Sequence, residues 1–272
     1  MTAIDHGGLP AVLTDACAEA ERAYATAMAS MTLTERRSKS GMGADGTETF
    51  LLDEIVEAPV LDVLGRYGVN VLSEEVGWID RGSAVTLVID PVDGTANAAA
   101  GVPLSCFAGA VVVDDQIQAA MTSWFGGQRR WSAVRGAGIE ATVTDRRRID
   151  DGAISLLRPR ATTWPAWSAI AERAERVRVL GTSVLEACLV ADGAIDAFCD
   201  PGGDVHRIVD IAAAQLIVEA AGGVVIDALG RPFDFEPDLT KRWSGIFAAS
   251  AELAEDLADT IQRSQVIEAA GR

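Results

Sequence analysis

Apolar positions recur at helical spacing through the alanine-rich stretch 10–31, which predicts a first helix. Residues 32–48 are polar and glycine-rich and read as a loop. Helical spacing returns over 49–66, where Leu51, Leu52, Ile55, Val56, Leu61 and Leu64 are available for a core. Pro59 argues against that helix being straight. Short apolar runs at 69–72, 85–89, 106–113, 116–124 and 130–134 predict strands, with Asp114-Asp115 as a hairpin turn. A highly polar segment at 145–152 marks a weak boundary between halves 1–150 and 151–272. Beyond it the pattern alternates: strands at 154–157, 177–180, 195–198, 224–226 and 246–248, helices at 165–175, 183–192, 208–221 and 250–263. Such alternation favours a layered α/β half.

The end of the run at 85–89 carries the most chemistry. It closes on Asp90-Pro91-Val92-Asp93-Gly94-Thr95. Pro91 has no N–H for a ladder and is expected to stop the strand, and Gly94 permits a tight turn. Two carboxylates are thereby brought together at a strand's C-terminal end. With the Thr95 hydroxyl and free backbone amides beyond it, they suit a hard cation facing a phosphate. As an isolated pentapeptide, the same segment also suits an ordinary polar turn. Acidic residues close or open two other apolar elements as well, at Ser73-Glu74-Glu75 and at Val209-Asp210.

Composition narrows the classes. A chain of 272 residues buries a full core. A net charge of −17 argues against nucleic acid as a bulk electrostatic partner, and fits a site that needs cations before it accepts a phosphate. No apolar run reaches the roughly 18 residues of a membrane span, and the start Met1-Thr2-Ala3-Ile4-Asp5-His6 has no signal-peptide pattern. Cys17, Cys106, Cys188 and Cys199 form no Cys-x-x-Cys pair, and buried free thiols in a reducing cytoplasm are expected. The two histidines are His6, in an expected tail, and His206, before the 208–221 helix. Histidine-ligated zinc and a Ser-His-Asp triad are poorly supported.

Taken together, Ser-Glu-Glu (73–75), Asp-Pro-Val-Asp-Gly-Thr (90–95), Val-Asp-Ile-Ala-Ala (209–213) and Glu-Ala-Ala-Gly-Gly (219–223) resemble the inositol monophosphatase-like, Mg²⁺-dependent, lithium-sensitive phosphatases. Leu-Gly-Thr-Ser (180–183), Val-Ala-Asp-Gly-Ala-Ile-Asp-Ala-Phe (190–198) and Gly-Ile-Phe-Ala-Ala-Ser (245–250) extend the resemblance in the family's order. It implies alternating helix and sheet layers of the inositol monophosphatase / fructose-1,6-bisphosphatase type, a homodimer, and two or three Mg²⁺ ions. The implied ligands are Glu74, Asp90, the Val92 carbonyl, Asp93 and Asp210. Phosphate contacts fall to Gly94, Thr95 and Ala96, orientation of the attacking water to Thr95 and Asp53, and substrate contacts to Ser183 and Asp200. The implied reaction is in-line attack by a water that the cations activate, without a phosphoenzyme.

Several residues have a second reading. Glu74 beside Glu75 also suits a solvated loop, Asp210 a helix first turn, and Asp200-Pro201-Gly202-Gly203 a plain turn. Lys39 is similar to a loop lysine near the family's metal site, with Asp45 a competing acid. The departures are Val209 where the family often has Trp, and Ala96-Asn97-Ala98 after Thr95. The Asn97-Ala98 pair and segment 207–213 are more similar to archaeal-type members that also accept fructose 1,6-bisphosphate. Inositol monophosphate is the default substrate, with fructose 1,6-bisphosphate, histidinol phosphate and phosphoadenosine phosphate as alternatives. Gly41-Met42-Gly43-Ala44-Asp45-Gly46 satisfies Gly-x-Gly-x-x-Gly, but a dinucleotide fingerprint must follow a strand and open a helix. An NAD-dependent oxidoreductase is therefore a remote class. So is an inactive phosphatase-like binding protein, because the acidic set and Thr95 are all present.

Overall fold

The structure is a computed structural model that describes residues 9–127, 129–233 and 235–270; His6 lies outside the described residues. Helix α1 (Ala11–Ser30) buries Val12, Leu13, Ala16, Cys17, Ala20, Ala23 and Ala27. This stripe recurs every three to four residues, and its small side chains permit a close approach. It lies against α3 (Leu51–Tyr67), which runs on through Pro59. Between these helices the chain departs from the expected loop. It forms α2 (Leu33–Arg37) and the two-stranded ribbon β1 (Lys39–Met42) with β2 (Glu48–Phe50). The signal for α2 is a capping box between Thr32 and Glu35, short enough to be lost in a polar stretch. The Gly-x-Gly-x-x-Gly segment spans the end of β1 and its turn, and no helix opens there.

Next come β3 (Asn70–Ser73), β4 (Gly77–Ile79), β5 (Val85–Asp93), α4 (Thr95–Ala100), β6 (Cys106–Val113), β7 (Gln116–Trp124) and β8 (Arg129–Val134). They give a six-stranded sheet in the order β4-β3-β5-β6-β7-β8. Asp114 and Asp115 both hold φ near +50° to +56°, the left-handed pair that a two-residue hairpin requires.

The rest of the chain supplies β9 (Ala153–Leu156), α5 (Trp164–Arg173), β10 (Arg176–Arg178), α6 (Ser183–Ala191), β11 (Ala197–Cys199), α7 (Ile208–Ala220), β12 (Val224–Asp227), β13 (Gly245–Ala248) and α8 (Ala251–Ala270). Its strands form a second sheet in the order β10-β9-β11-β13-β12. Layers then alternate as the family resemblance implies. The α1/α3 pair covers one face of the first sheet, α6 and α7 lie between the sheets, and α5 with α8 cover the far face of the second. Because α7 is sandwiched, it buries Ile208, Val209, Ile211, Ala212, Ala213, Ala214, Leu216, Ile217 and Val218 around most of its circumference. Full burial of a side chain such as Ile217 contributes about 1.5–3 kcal/mol.

A second sequence expectation is corrected. Pro91 does not stop β5, which runs to Asp93. Asp90 pairs with Ala108 and Asp93 with Cys106, so one extra residue is accommodated between them. This β-bulge absorbs the proline, whose missing N–H costs nothing where the ladder is already interrupted.

Candidate active site

The bulge does more than house a proline. Residues three apart on a regular strand point to opposite faces. The extra residue restores the phase: Asp90 and Asp93 oppose Ala108 and Cys106, which are two apart and share a face. That face looks toward the α6/α7 layer, where Cys106 and Ala108 pack with Ile208 and Leu185. Parallel pairing of β3 with β5 sets Ser73 beside Ile89, so Glu74 and Asp90 leave the sheet at the same end. Asp210 comes to them in the first turn of α7. Asp90, Asp93 and Asp210 are all buried, and each offers an oxygen within 4.8 Å of the others'.

Asp93 is also the clasp between the first sheet and α6. It accepts hydrogen bonds from the Thr182 hydroxyl, from the backbone N–H of Ser183 at 3.1 Å and from that of Val184 at 3.0 Å. These are orphan donors at the start of α6, and a carboxylate there is favoured by the helix dipole. Gly94 makes the approach possible. It holds φ +84°, and a Cβ would lie 2.7 Å from the Leu104 carbonyl and 3.0 Å from Thr182 Cβ. Asn97, one turn on, donates its amide to the carbonyls of Leu180 at 2.7 Å and Leu104 at 3.0 Å, tying α4 to the 180–183 loop.

A cavity of about 500 Å³ opens over the cluster. Of the residues singled out above, Glu74, Asp93, Ala96, Ser183, Asp200 and Asp210 line it. Asp45 lines it too, whereas Lys39 does not; Lys39 Nζ sits 3.1 Å from the centre of the Phe50 ring and donates to the Glu48 carbonyl. Asp200 is buried in the wall with both oxygens engaged, by Gly203 N–H at 2.8 Å and Val205 N–H at 2.9 Å. Arg158, Arg160 and Arg242 also line the cavity.

The electrostatics follow from packing acids together. Burial, with the charges of Glu74, Asp93 and Asp210, pushes Asp90 well above the ordinary carboxylate range. Asp93 is pushed up to about 6, mainly by burial, against the pull of the Thr182 hydroxyl. Burial opposes the charge of Asp210 as well, but the Arg207 guanidinium holds it below its usual value. Asp53, in the first turn of α3, is pushed up to about 8 by burial and by Glu74 and Glu75. Its Oδ2 accepts from Phe50 N–H at 3.3 Å, while its buried Oδ1 has no hydrogen-bond partner among the described residues. Thr95 lies beside it and donates to the Val92 carbonyl at 2.9 Å.

These residues fit a divalent cation. The donors are all oxygen, as a hard ion requires, and the carboxylates are crowded enough to need positive charge between them. The buried Asp53 Oδ1, beside Thr95, is a polar atom left for a bound group to engage.

Sequence reasoning missed Arg207, which pairs with Asp45, Glu74 and Asp210. Its three-residue spacing from Asp210 was the visible signal. Thr182 was missed as a partner of Asp93, as was Glu57, which accepts from Glu75 and Val76 N–H at 3.3 Å and so sets the turn that aims Glu74.

Comparison with known proteins identifies the family. The fructose-1,6-bisphosphatase/inositol-1-monophosphatase of Methanocaldococcus jannaschii is 31% identical over 233 residues, 83% of this chain and 91% of that protein. The histidinol-phosphatase of Mycobacterium tuberculosis is 32% identical over 186 residues, 63% of this chain and 70% of that one. The crystal structure of an inositol monophosphatase-fructose 1,6 bisphosphatase superposes with a TM-score of 0.82 at 28% identity, covering 92% of this chain and 98% of that one. The sequence pattern of the inositol monophosphatase family matches residues 11–266. By fold, acidic cluster and sequence together, this chain belongs to the inositol monophosphatase family of phosphatases.

Proposed function

We propose that the chain is a Mg²⁺-dependent phosphomonoesterase acting on a small polyol or sugar phosphate, with inositol monophosphate as the first substrate. The observation that carries this is the bulged β5 end, which sets Asp90 and Asp93 on one face beside Asp210 and beneath the cavity. Glu74, Asp90, the Val92 carbonyl, Asp93 and Asp210 are the oxygens assigned to two or three Mg²⁺ ions. Bound Mg²⁺ supplies charge neutralisation for the phosphoryl oxygens and acidifies a water nucleophile. The first-turn N–H groups of Gly94, Thr95 and Ala96 face the phosphate oxygens. Asp53 Oδ1 and the Thr95 hydroxyl hold the attacking water in line. Residues 1–150 thus contribute most ligands, and residues 151–272 contribute Asp210 and the substrate-facing Ser183 and Asp200.

A cysteine or histidine nucleophile is disfavoured. All four cysteines are buried, and burial pushes the Cys17 thiol up to about 12 and those of Cys106, Cys188 and Cys199 up as well. His206 is fully buried among Phe198 and Phe247.

A sugar bisphosphate is the second reading, favoured by Arg158 and Arg160 on the cavity wall. We place the protein in the cytoplasm as a homodimer sensitive to lithium, with a small phosphate ester rather than nucleic acid or membrane as its partner. None of the helices among the described residues is long and apolar enough to cross a membrane.

The deciding experiment measures phosphate release from inositol 1-phosphate, fructose 1,6-bisphosphate, histidinol phosphate and phosphoadenosine phosphate, with and without Mg²⁺. Mg²⁺-dependent release from inositol 1-phosphate or the bisphosphate is expected. Release from none of the four defeats the proposal.

The water-orienting pair is tested separately. Thr95→Ala and Asp53→Asn are each expected to cut kcat by about 10²-fold with little change in KM, because the interaction matures in the transition state. The double variant is expected to be no worse than the weaker single one, since either change breaks the same relay. Strictly additive losses would show the two residues acting apart.

A further inference from the structure

Glu186 lies one turn into α6 and is fully buried. Its neighbours Leu185, Ala187 and Cys188 are buried and apolar, so a carboxylate stands where packing alone would place a hydrocarbon. It accepts three hydrogen bonds: from the Ser155 hydroxyl on β9, from Leu180 N–H at 3.3 Å and from Thr182 N–H at 3.1 Å. The two amides fall on different oxygens, and the Leu180-Gly181-Thr182 turn folds around the carboxylate. Gly181, at the apex, holds φ +77°, a conformation that favours glycine. From the other side Asn97 donates to the carbonyls of Leu180 at 2.7 Å and Gly181 at 3.2 Å.

Helix capping does not account for these bonds. The amides that begin α6, those of Ser183 and Val184, are taken by Asp93. Leu180 and Thr182 precede the helix, in the turn that forms the cavity wall where Gly181, Thr182 and Ser183 stand. Thr182 thus bridges two buried carboxylates: its N–H donates to Glu186 and its hydroxyl to Asp93 Oδ2. A hydroxyl has one proton to give, so where Glu186 holds the Thr182 backbone decides how that proton meets Asp93.

We propose that Glu186 is a positioning residue. It holds the 180–182 turn where the Thr182 hydroxyl reaches Asp93, and so sets the aim of that carboxylate from behind the cavity wall. The inference rests on the metal-dependent phosphatase reading of the site, in which Asp93 is a cation ligand. Removing a group that orients a ligating carboxylate lowers metal affinity or activity by about 10- to 100-fold.

The test titrates Mg²⁺ by calorimetry into EDTA-stripped wild type, Glu186→Leu, Glu186→Gln, Thr182→Val and the double variant Glu186→Leu/Thr182→Val, and measures kcat and Tm for each. In Glu186→Leu, Mg²⁺ affinity is expected to weaken and kcat to fall, each by about tenfold or more. Gln keeps one acceptor oxygen in place of two and is expected to lose less on both measures. Thr182→Val is expected to match Glu186→Leu. The double variant is expected to be no worse than the worse single one, because both changes release the same bond to Asp93. Leu leaves two amides without an acceptor, so a lower Tm is expected from a purely structural role as well. Weaker Mg²⁺ binding well below that Tm is what separates positioning from support. A folded Glu186→Leu with wild-type affinity and kcat overturns the proposal and leaves the phosphatase reading intact, as do strictly additive losses in the double variant. A wild type that binds no Mg²⁺ overturns both. Should Glu186→Leu fail to fold, Glu186→Gln decides: loss of Mg²⁺ affinity and kcat supports the proposal, and wild-type values overturn it.

Discussion

EDTA-treated protein is expected to release no phosphate from any substrate, and added Mg²⁺ is expected to restore release in full. Asp90, Asp93 and Asp210 converge beneath a cavity that Glu74 also lines, and Arg207 offsets only part of the charge of these acids. Without cations a phosphate ester would meet net repulsion there. Full activity in excess EDTA would remove the metal-dependent reading. The same crowding gives a pH signature. Burial and neighbouring charge raise Asp53 to about 8, Asp93 to about 6 and Glu75 to about 7, so in the folded state they hold protons that the unfolded chain releases at lower pH. Their contribution to stability is full below the ordinary carboxylate range and is lost as pH rises through these values. The Tm of the EDTA-treated protein should therefore fall between pH 5 and pH 8, the window set by those shifts. Mg²⁺ should protect more at the higher pH, where the carboxylates are ionised. A Tm gain from Mg²⁺ that does not change with pH would contradict this account.

Asp93→Asn is expected to lower kcat by about 10³-fold or more at saturating Mg²⁺, through loss of an anionic ligand at the centre of the cluster. Were Asp93 only a turn residue, Asn would serve as well. The structure adds a second cost that a turn residue would not carry. The carboxylate accepts from Thr182, Ser183 and Val184 at the start of α6. An amide offers one acceptor oxygen and turns an NH₂ toward donors, so a buried N–H loses its partner. The expected loss of stability is about 1–3 kcal/mol, read as a lower denaturation midpoint in a protein that still folds. Near-wild-type kcat would remove Asp93 from the cation site, and unchanged stability would show that its contacts with α6 are easily replaced.

Most of the elements were legible because burial imposes a period, whereas the alternation of layers followed from the motifs' resemblance to a family. The stripe of α1, the long apolar run of α7 and the Asp114-Asp115 hairpin each leave a local pattern that needs no partner to be recognised. The ribbon at 39–50 left none. Its β1 strand is exposed along its whole length, so no alternation of burial is written into it. Pro91 misled for a related reason: a proline reads as a stop unless the partner strand is known to skip a residue there.

The chemical types of the site were set by sequence alone, since Glu74, Asp90, Asp93, Thr95 and Asp210 stand at the ends of apolar runs and within recognisable motifs. Their convergence was not. Only strand pairing shows that a bulge puts Asp90 and Asp93 on one face, and that parallel register carries Glu74 to the same end. Arg207 is the clearest case. Its pairing with Asp210 lies three residues away and is visible in the chain, but Asp45 and Glu74 are 162 and 133 residues distant. Local propensity and periodicity act over a few residues. A buried charge network is decided by which distant acids the packed layers bring together, and that is a property of the tertiary structure.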